Sequence, residues 1–293
     1  MGRGDLSKDE WDRLKPHLPA NGRQGGRWAS HRRVINGILY RARTGVPWRD
    51  LPPRFGPWTT VYDRHRRWCA DGTWERILTS LQAEADAEGR LDWSLASVDS
   101  TSCRAHQHAA GARKETPTNP PKRGIPARHR SDEGLGRSRG GLTTKIHLAC
   151  EGGRRPLALL VTPGQTGDST QFEAVMERIR VPRPGGGRPR TRPDHVTADK
   201  AYSARRIRAY LRRRAISHTI PEPRDQRANR LRRGSRGGRP TGFDKETYKR
   251  RNEVERTIHR LKGFRAVATR YDKRAYVFHG TVTVASIRLW LRR

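Results

Sequence analysis

The surplus of positive charge limits this chain more than any other feature. Its 293 residues carry 63 Lys and Arg against 29 Asp and Glu, a net charge of +34. A compact monomer with that surplus repels itself unless a polyanion neutralises it. Apolar residues are 32% of the chain, below the usual globular share. One core is possible, but long stretches have to be solvated or covered by a partner. Nucleic acid is the polyanion that fits, because each phosphate met by Lys or Arg releases counter-ions. All but ten of the basic residues are arginine, whose planar fork suits phosphates and guanine edges. A GC-rich coding sequence gives the same bias, and a packaging protein of ribosomal type the same charge, so charge alone does not choose between them.

The pattern along the chain changes near residue 90. Residues 1–90 read as helices. Ser7 and Glu10 form a capping box ahead of "WDRLKPHL". Ser30 is placed to cap a helix in which Val34, Ile35, Ile38, Leu39 and Ala42 recur at helical spacing, and Gly45 ends it. "TTVYDRHRRWCADG" and "TWERILTSLQAEADAEG" supply two more. Arg32, Arg33, Arg64, Arg66 and Arg67 are expected on outer faces as DNA contacts. The unit reads as a small all-helical DNA-binding domain, or more plainly as a helical bundle with a basic surface.

Residues 91–293 mix strands with helices. "LASVDSTSCRAH" reads as a strand and 107–141 as a mobile basic loop. "GLTTKIHLACEGGRRPLALLVTPG" reads as a hairpin around "EGGR". Then come a helix capped near Asp168, a strand at "HVTADKAY", a helix at "SARRIRAYLRRRA" and a strand at "ISHTIPEP". "RDQRANRLRRGSRGGRP" is expected to be a basic loop. A helix over 248–263 and a packed helix from about Phe278 close the chain. This β-β-β-α-β-α-β-α order predicts an α+β or α/β unit of ribonuclease-H-like type, although many folds share such an order. Three scattered cysteines, no apolar run near 18 residues and no apolar leader point to a cytoplasmic location.

Two aspartates interrupt short apolar strands, Asp99 in "LASVDSTS" and Asp199 in "HVTADKAY". Either alone reads as a turn or cap residue. With a helical glutamate added, three acids brought together would repel one another. Hard divalent cations such as Mg²⁺ or Mn²⁺ relieve that repulsion. In "YKRRNEVERTIHRLKG", a continuous helix puts Tyr248, Arg251, Glu255 and Lys262 on one polar stripe beside Val254, Ile258 and Leu261. Glu253 falls on the opposite side and is expected to be solvated.

The spacing Tyr248-x2-Arg251-x3-Glu255-x6-Lys262 resembles the Tyr-Arg-Glu-Lys signature of DDE transposases from bacterial insertion sequences. "SVDSTS", "GRSRGGLTTKIHLACEGGRRPLALLVTPGQTGD" and "TADKAY" resemble that family's other catalytic blocks. "HRRVINGILYRARTGVPWRDLPPRFGPWTTVYDRHRRWCADGTWERIL" is similar to the N-terminal region of its IS-five group. The resemblance runs from about Leu6 to Leu291. It implies an uninterrupted ribonuclease-H-like catalytic domain over 91–293, because 56 residues between Asp199 and Glu255 leave no room for a large insertion. It implies that Asp99, Asp199 and Glu255 hold two Mg²⁺ ions, with Mn²⁺ as a substitute. Tyr248, Arg251 and Lys262 would contact phosphates. The N-terminal helices would bind terminal inverted repeats in double-stranded DNA. The active form would be a homodimer or larger synaptic assembly in the nucleoid, cutting element ends and joining them to target DNA. His106 and His108 read as solvated loop histidines rather than metal ligands. The rival readings are a relic that binds DNA without catalysis, which should have lost one of the acids, and a ribonuclease-H-like nuclease without strand transfer.

Overall fold

The computed structural model describes residues 2–20, 28–111 and 133–292. Four helices come first: α1 (Lys8–Leu14), α2 (His31–Thr44), α3 (Trp58–Ala70) and α4 (Thr73–Ala87). The capping box forms as expected, with the Ser7 hydroxyl accepting from the Glu10 N–H and the Glu10 carboxylate accepting from the Ser7 N–H. Ser30 precedes α2 but its side chain makes no cap bond. Gly45 ends α2 in the left-handed region that glycine favours, at φ 72°.

Strand β1 (Ala96–Ala105) and the short helix α5 (Gln107–Ala110) follow. Most of the loop expected over 107–141 lies outside the described residues, but its far end forms a strand that the composition hid, β2 (Gly136–Ser138). The expected hairpin is β3 (Gly141–Glu151) and β4 (Pro156–Pro163), and after it come α6 (Phe172–Glu177), β5 (His195–Ala198), α7 (Arg205–Arg213) and β6 (Ser217–Thr219). The stretch expected as a basic loop contains a helix, α8 (Arg224–Arg232), with no buried side chain.

The expected continuous helix over 248–263 is broken. It forms α9 (Lys245–Lys249) and α10 (Asn252–Lys262). Between them the Arg251 N–H bonds to the Tyr248 carbonyl at 2.9 Å and the Val254 N–H to the Arg251 carbonyl at 3.1 Å. These tighter i to i−3 bonds take Tyr248 off the α10 register. The chain closes with α11 (Arg265–Ala268), β7 (Thr269–Arg270) and α12 (Ala275–Leu291).

The sheet runs β4-β3-β1-β5-β6, with β2 beside β3 and β7 beside β1. β4, β3 and β1 are antiparallel neighbours, while β5 and β6 lie parallel to β1. This is the ribonuclease-H-like order. β4 is buried along its whole length, as a strand covered on both faces should be. One core contains Ala96, Val98, Leu160, Phe172 and Ile207; the other contains Cys103, Ile146, Leu148, Val254 and Leu261.

α12 joins the two. Val284, Ile287 and Trp290 belong to the first core, Phe278, Val282 and Leu289 to the second. Helices α3 and α4 pack on α12, so residues 1–90 share its core. Arg41 of α2 pairs with Asp272 at 3.0 Å, and Thr281 of α12 donates to the same carboxylate at 3.0 Å. Among the described residues no helix is long and apolar enough to cross a membrane.

These parts pack tightly at Gly280, where a Cβ would stand 2.1 Å from Cys69 Sγ and 3.0 Å from Cys69 Cβ. Gly280→Ala is therefore expected to destabilise the whole chain by about 1–3 kcal/mol through overpacking. Tryptophan fluorescence, to which six tryptophans of residues 1–90 contribute, and far-ultraviolet circular dichroism should shift together on melting. An unchanged melting midpoint would show that α3 and α12 are free to move apart.

Candidate active site

Parallel pairing brings the two strand aspartates together. Val98 is in register with Ala198, so Asp99 and Asp199 are the next residues on neighbouring strands. Ser97 and Thr197 reinforce the pairing with a hydroxyl–hydroxyl bond of 2.7 Å. Asp199 stands at the end of β5, where its carboxylate accepts the Ala201 N–H at 2.8 Å and caps a single 3₁₀ turn. α10 lies across β1 and β3 and buries Val254, Thr257 and Leu261.

Arg251, at the start of α10, ties the third acid in. Its Nη1 donates to Asp99 Oδ2 at 3.3 Å while Nη2 pairs with Glu255. Burial pushes the Asp99 carboxyl up to about 6, and the charges of Asp199 and Glu255 push the same way. The Ser100 N–H and Arg251 oppose them. The three acids thus share one electrostatic field, and a guanidinium already lies between two of them.

Two neighbours were missed in the sequence. Asp168, expected only as a helix cap, makes no cap bond. It accepts from Ser100 Oγ at 2.6 Å and pairs with Lys145 Nζ at 2.8 Å. Burial works against this carboxylate, but those two bonds outweigh it and hold it below its ordinary range. Tyr202 is buried in the turn after Asp199. Burial, then Asp99, Asp168 and Asp199, push its hydroxyl far up and keep it protonated. Tyr202 closes the "TADKAY" block and Asp168 closes the block that ends in "TPGQTGD", so each carried a signal in the sequence.

Other expected residues are placed as follows. Lys262 Nζ donates to the Ser102 carbonyl of β1 at 3.1 Å. The Tyr248 ring lies 5.8 Å from the Arg251 guanidinium and 5.1 Å from the Phe243 ring. Glu253 is not solvated: its side chain is 18% exposed and paired with Arg154, whereas that of Glu255 is 50% exposed. The reason is Thr257, which is buried and donates to the Glu253 carbonyl at 2.8 Å. Thr257 widens the buried arc of α10 toward Glu253.

Arg64, expected on an outer face, is buried under the Trp28 and Trp68 rings. Arg32 is half-buried against the Leu6 carbonyl, and Arg33 bonds the Arg54 and Pro53 carbonyls. Arg66 and Arg67 do face solvent. His106 caps α5 and packs on Tyr271, and with His108, Trp48, Trp58 and Tyr62 it lines a cleft of about 610 Å³. Among the described residues no three His, Cys, Asp or Glu stand close enough to form a ready-made metal-binding group.

The profile of the family described as "Transposase DDE domain" matches residues 93–290, and that of "Putative transposase of IS4/5 family" matches residues 6–78. "Uncharacterized protein y4sN" of Sinorhizobium fredii is 40% identical over 111 residues, covering 37% of this chain and 83% of that protein. "Putative transposase for insertion sequence element IS6501" of Brucella ovis is 30% identical over 151 residues, covering 52% of this chain and 100% of that protein. A piggyBac transposase synaptic complex with hairpin DNA superposes with a TM-score of 0.43 at 10% identity, covering 97% of this chain and 70% of that one. That likeness is too loose to build on.

Asp99 gives a measurable signature of this geometry. Its ordinary value is 3.8 and its folded value about 6, so the folded chain holds a proton there that the unfolded chain has released. The contribution of Asp99 to stability is complete below the ordinary value and is lost as pH rises through the folded one. A carboxyl-carbon NMR titration of the cation-free protein should show a midpoint near 6 for Asp99. Arg251→Gln should raise that midpoint by removing the opposing guanidinium, and Glu255→Gln should lower it. An Asp99 midpoint in the ordinary range, unmoved by either change, would separate the three side chains.

Proposed function

This chain belongs to the DDE transposase family, and from that premise we propose that Asp99, Asp199 and Glu255 form its centre for cutting and joining DNA. The observation that carries the reading is the β1–β5 register, which sets Asp99 beside Asp199 while Arg251 links Asp99 to Glu255. Residues 91–293 would carry the chemistry and residues 1–90 would bind the terminal repeats, with Arg66 and Arg67 as the exposed cations best placed to do so.

A divalent cation fits this centre by donor chemistry. The three side chains offer only carboxylate oxygens, and burial, with the charges of Asp199 and Glu255 added to it, raises Asp99. Our reading is two Mg²⁺ ions, with Mn²⁺ as a substitute, held by Asp99, Asp199 and Glu255. When bound, such ions make a water or a 3′-hydroxyl nucleophilic and stabilise the leaving oxygen of the phosphodiester.

The chain's own residues do the rest. Arg251 balances Asp99 and Glu255 and, once relieved of that task, can turn its fork to a phosphate oxygen. Lys262 reaches β1 from the same helix and Tyr248 stands under Arg251, so both can hold the backbone of the cut strand. Water opens the strand at the element end, and the freed 3′-hydroxyl then attacks a phosphate of target duplex. Two ends have to be held at once, which fits a homodimer or larger assembly.

The test is cleavage of a labelled duplex carrying the inverted repeat that flanks the reading frame. Glu255→Gln should abolish cutting and joining while leaving duplex binding intact. Glu253→Gln should keep both activities and lower stability by up to about 1 kcal/mol through loss of the half-exposed Arg154 pair. EDTA should stop the reaction and Mg²⁺ or Mn²⁺ restore it, whereas Ca²⁺ should not. An active Glu255→Gln beside a dead Glu253→Gln would remove this site assignment.

A further inference from the structure

α8 is a helix that the rest of the chain does not explain. None of its side chains is buried. At nine residues it is shorter than an isolated helix needs to be stable in water. Its side-chain ties to the body are few. Gln226 exchanges hydrogen bonds with Ser203, accepting from Ser203 Oγ at 3.0 Å and donating to the Ser203 carbonyl at 2.9 Å. Arg230 pairs with Glu222 at 3.1 Å. Ser203 closes the 3₁₀ turn that Asp199 caps, so α8 is latched to the edge of the carboxylate site.

The two latch residues fix which way α8 faces. With about 100° per residue, Gln226 and Arg230 fall within about 40° of each other on one side. Arg224, Arg227, Ala228 and Leu231 fall within about 100° of each other on the opposite side. Leu231 is 62% exposed, and it and Phe243 are the exposed large apolar side chains among the described residues. Arg224 and Arg227 are exposed and have no carboxylate partner among the described residues. A leucine flanked by two free arginines and a small alanine is the composition of a helix face that meets a nucleic-acid groove, with guanidinium forks on the phosphates and the apolar side chain against sugars or thymine methyls. A basic surface of this sign does not suit another copy of a +34 chain.

We propose that the face of α8 bearing Arg224, Arg227 and Leu231 docks duplex DNA and guides it into the Asp99, Asp199 and Glu255 site. The proposal rests on the DNA-cutting reading above and adds a contact outside residues 1–90. The Gln226–Ser203 latch makes the contact local: DNA held by α8 lies beside the turn that carries Asp199.

The experiment uses the full chain. Arg224→Gln with Arg227→Gln should lower the log–log salt slope for binding random-sequence duplex by about 1.8, at about 0.9 per phosphate contact. Arg183→Gln with Arg188→Gln, equal in charge and exposed on the loop that leads into the end of β5 opposite Asp199, should leave it unchanged. The melting midpoint should hold in both, because no removed side chain is buried. The native cysteines Cys69, Cys103 and Cys150 are all buried, so Ala228→Cys supplies a single exposed thiol. With duplexes bearing a thiol tether at successive phosphates, cross-links should concentrate within about one helical turn of the cut.

Equal slopes in the two double variants, or cross-links spread evenly along the duplex, would overturn the docking surface. The two readings fail separately. If the wild type cuts the element end but the slopes are equal, the docking surface falls alone. If the slopes differ as expected and the wild type cuts nothing, the surface stands and the cutting reading falls.

Discussion

Burial of α12 on every side is the constraint on which the rest of the molecule depends. A helix that is apolar all round has no stable place on a surface. Here it is covered by the sheet on one flank and by α3 and α4 on the other. It therefore forces the N-terminal helices and the sheet to share one core. Gly280 permits the close approach to Cys69, and the buried Arg41–Asp272 pair fixes the segment just before α12 to α2. Breaking one partner of such a pair leaves an uncompensated charge in the interior. The N-terminal helices are thereby coupled to the sheet that carries Asp99 and Asp199.

The site is built from repulsion that the backbone imposes. The register of β1 and β5 leaves Asp99 and Asp199 no freedom to separate, and burial of Asp99 raises the cost of its charge. Without a positive partner that arrangement favours protonation. Arg251 supplies one, and the break between α9 and α10 is what delivers it. At Arg251 the chain turns through tighter bonds, so its side chain can reach both β1 and Glu255. The same break frees Tyr248 to lie under the guanidinium instead of one turn along the same helix.

Much of this was legible in the residues and some was not, for physical reasons. The Asp99 and Asp199 strands could be read because each is a short apolar run interrupted by a charge, a pattern rarely tolerated without purpose. The side of α10 that meets the sheet was misjudged because Thr257 was left out of the apolar arc. A threonine whose hydroxyl bonds back to the helix buries as well as a valine. Arginine spacing on a helix reads as surface charge, yet the flat guanidinium of Arg64 lies over tryptophans from separate segments. Asp168 closes the block ending in "TPGQTGD", but its bonds to Lys145 and Ser100 come from the sheet pairing, which that stretch alone does not encode.

The charge surplus itself has two parts that composition merges. Some arginines are used up inside. Arg270 is fully buried and donates to the Asp272, Gly134 and Lys273 carbonyls and to Thr144 Oγ1. Arg155 stacks on Trp290 while bonding Glu151. Arg288 pairs with Glu10 at the foot of α12. These guanidiniums act as many-armed donors that satisfy buried carbonyls at the joints between segments, a task five N–H groups perform better than an ammonium. They cannot also neutralise phosphates. The cations free to meet DNA are those such as Arg67, Arg224 and Arg227, which lie on exposed helical faces. The number of phosphates this chain can neutralise is therefore set by where its arginines are left unpartnered, not by its net charge.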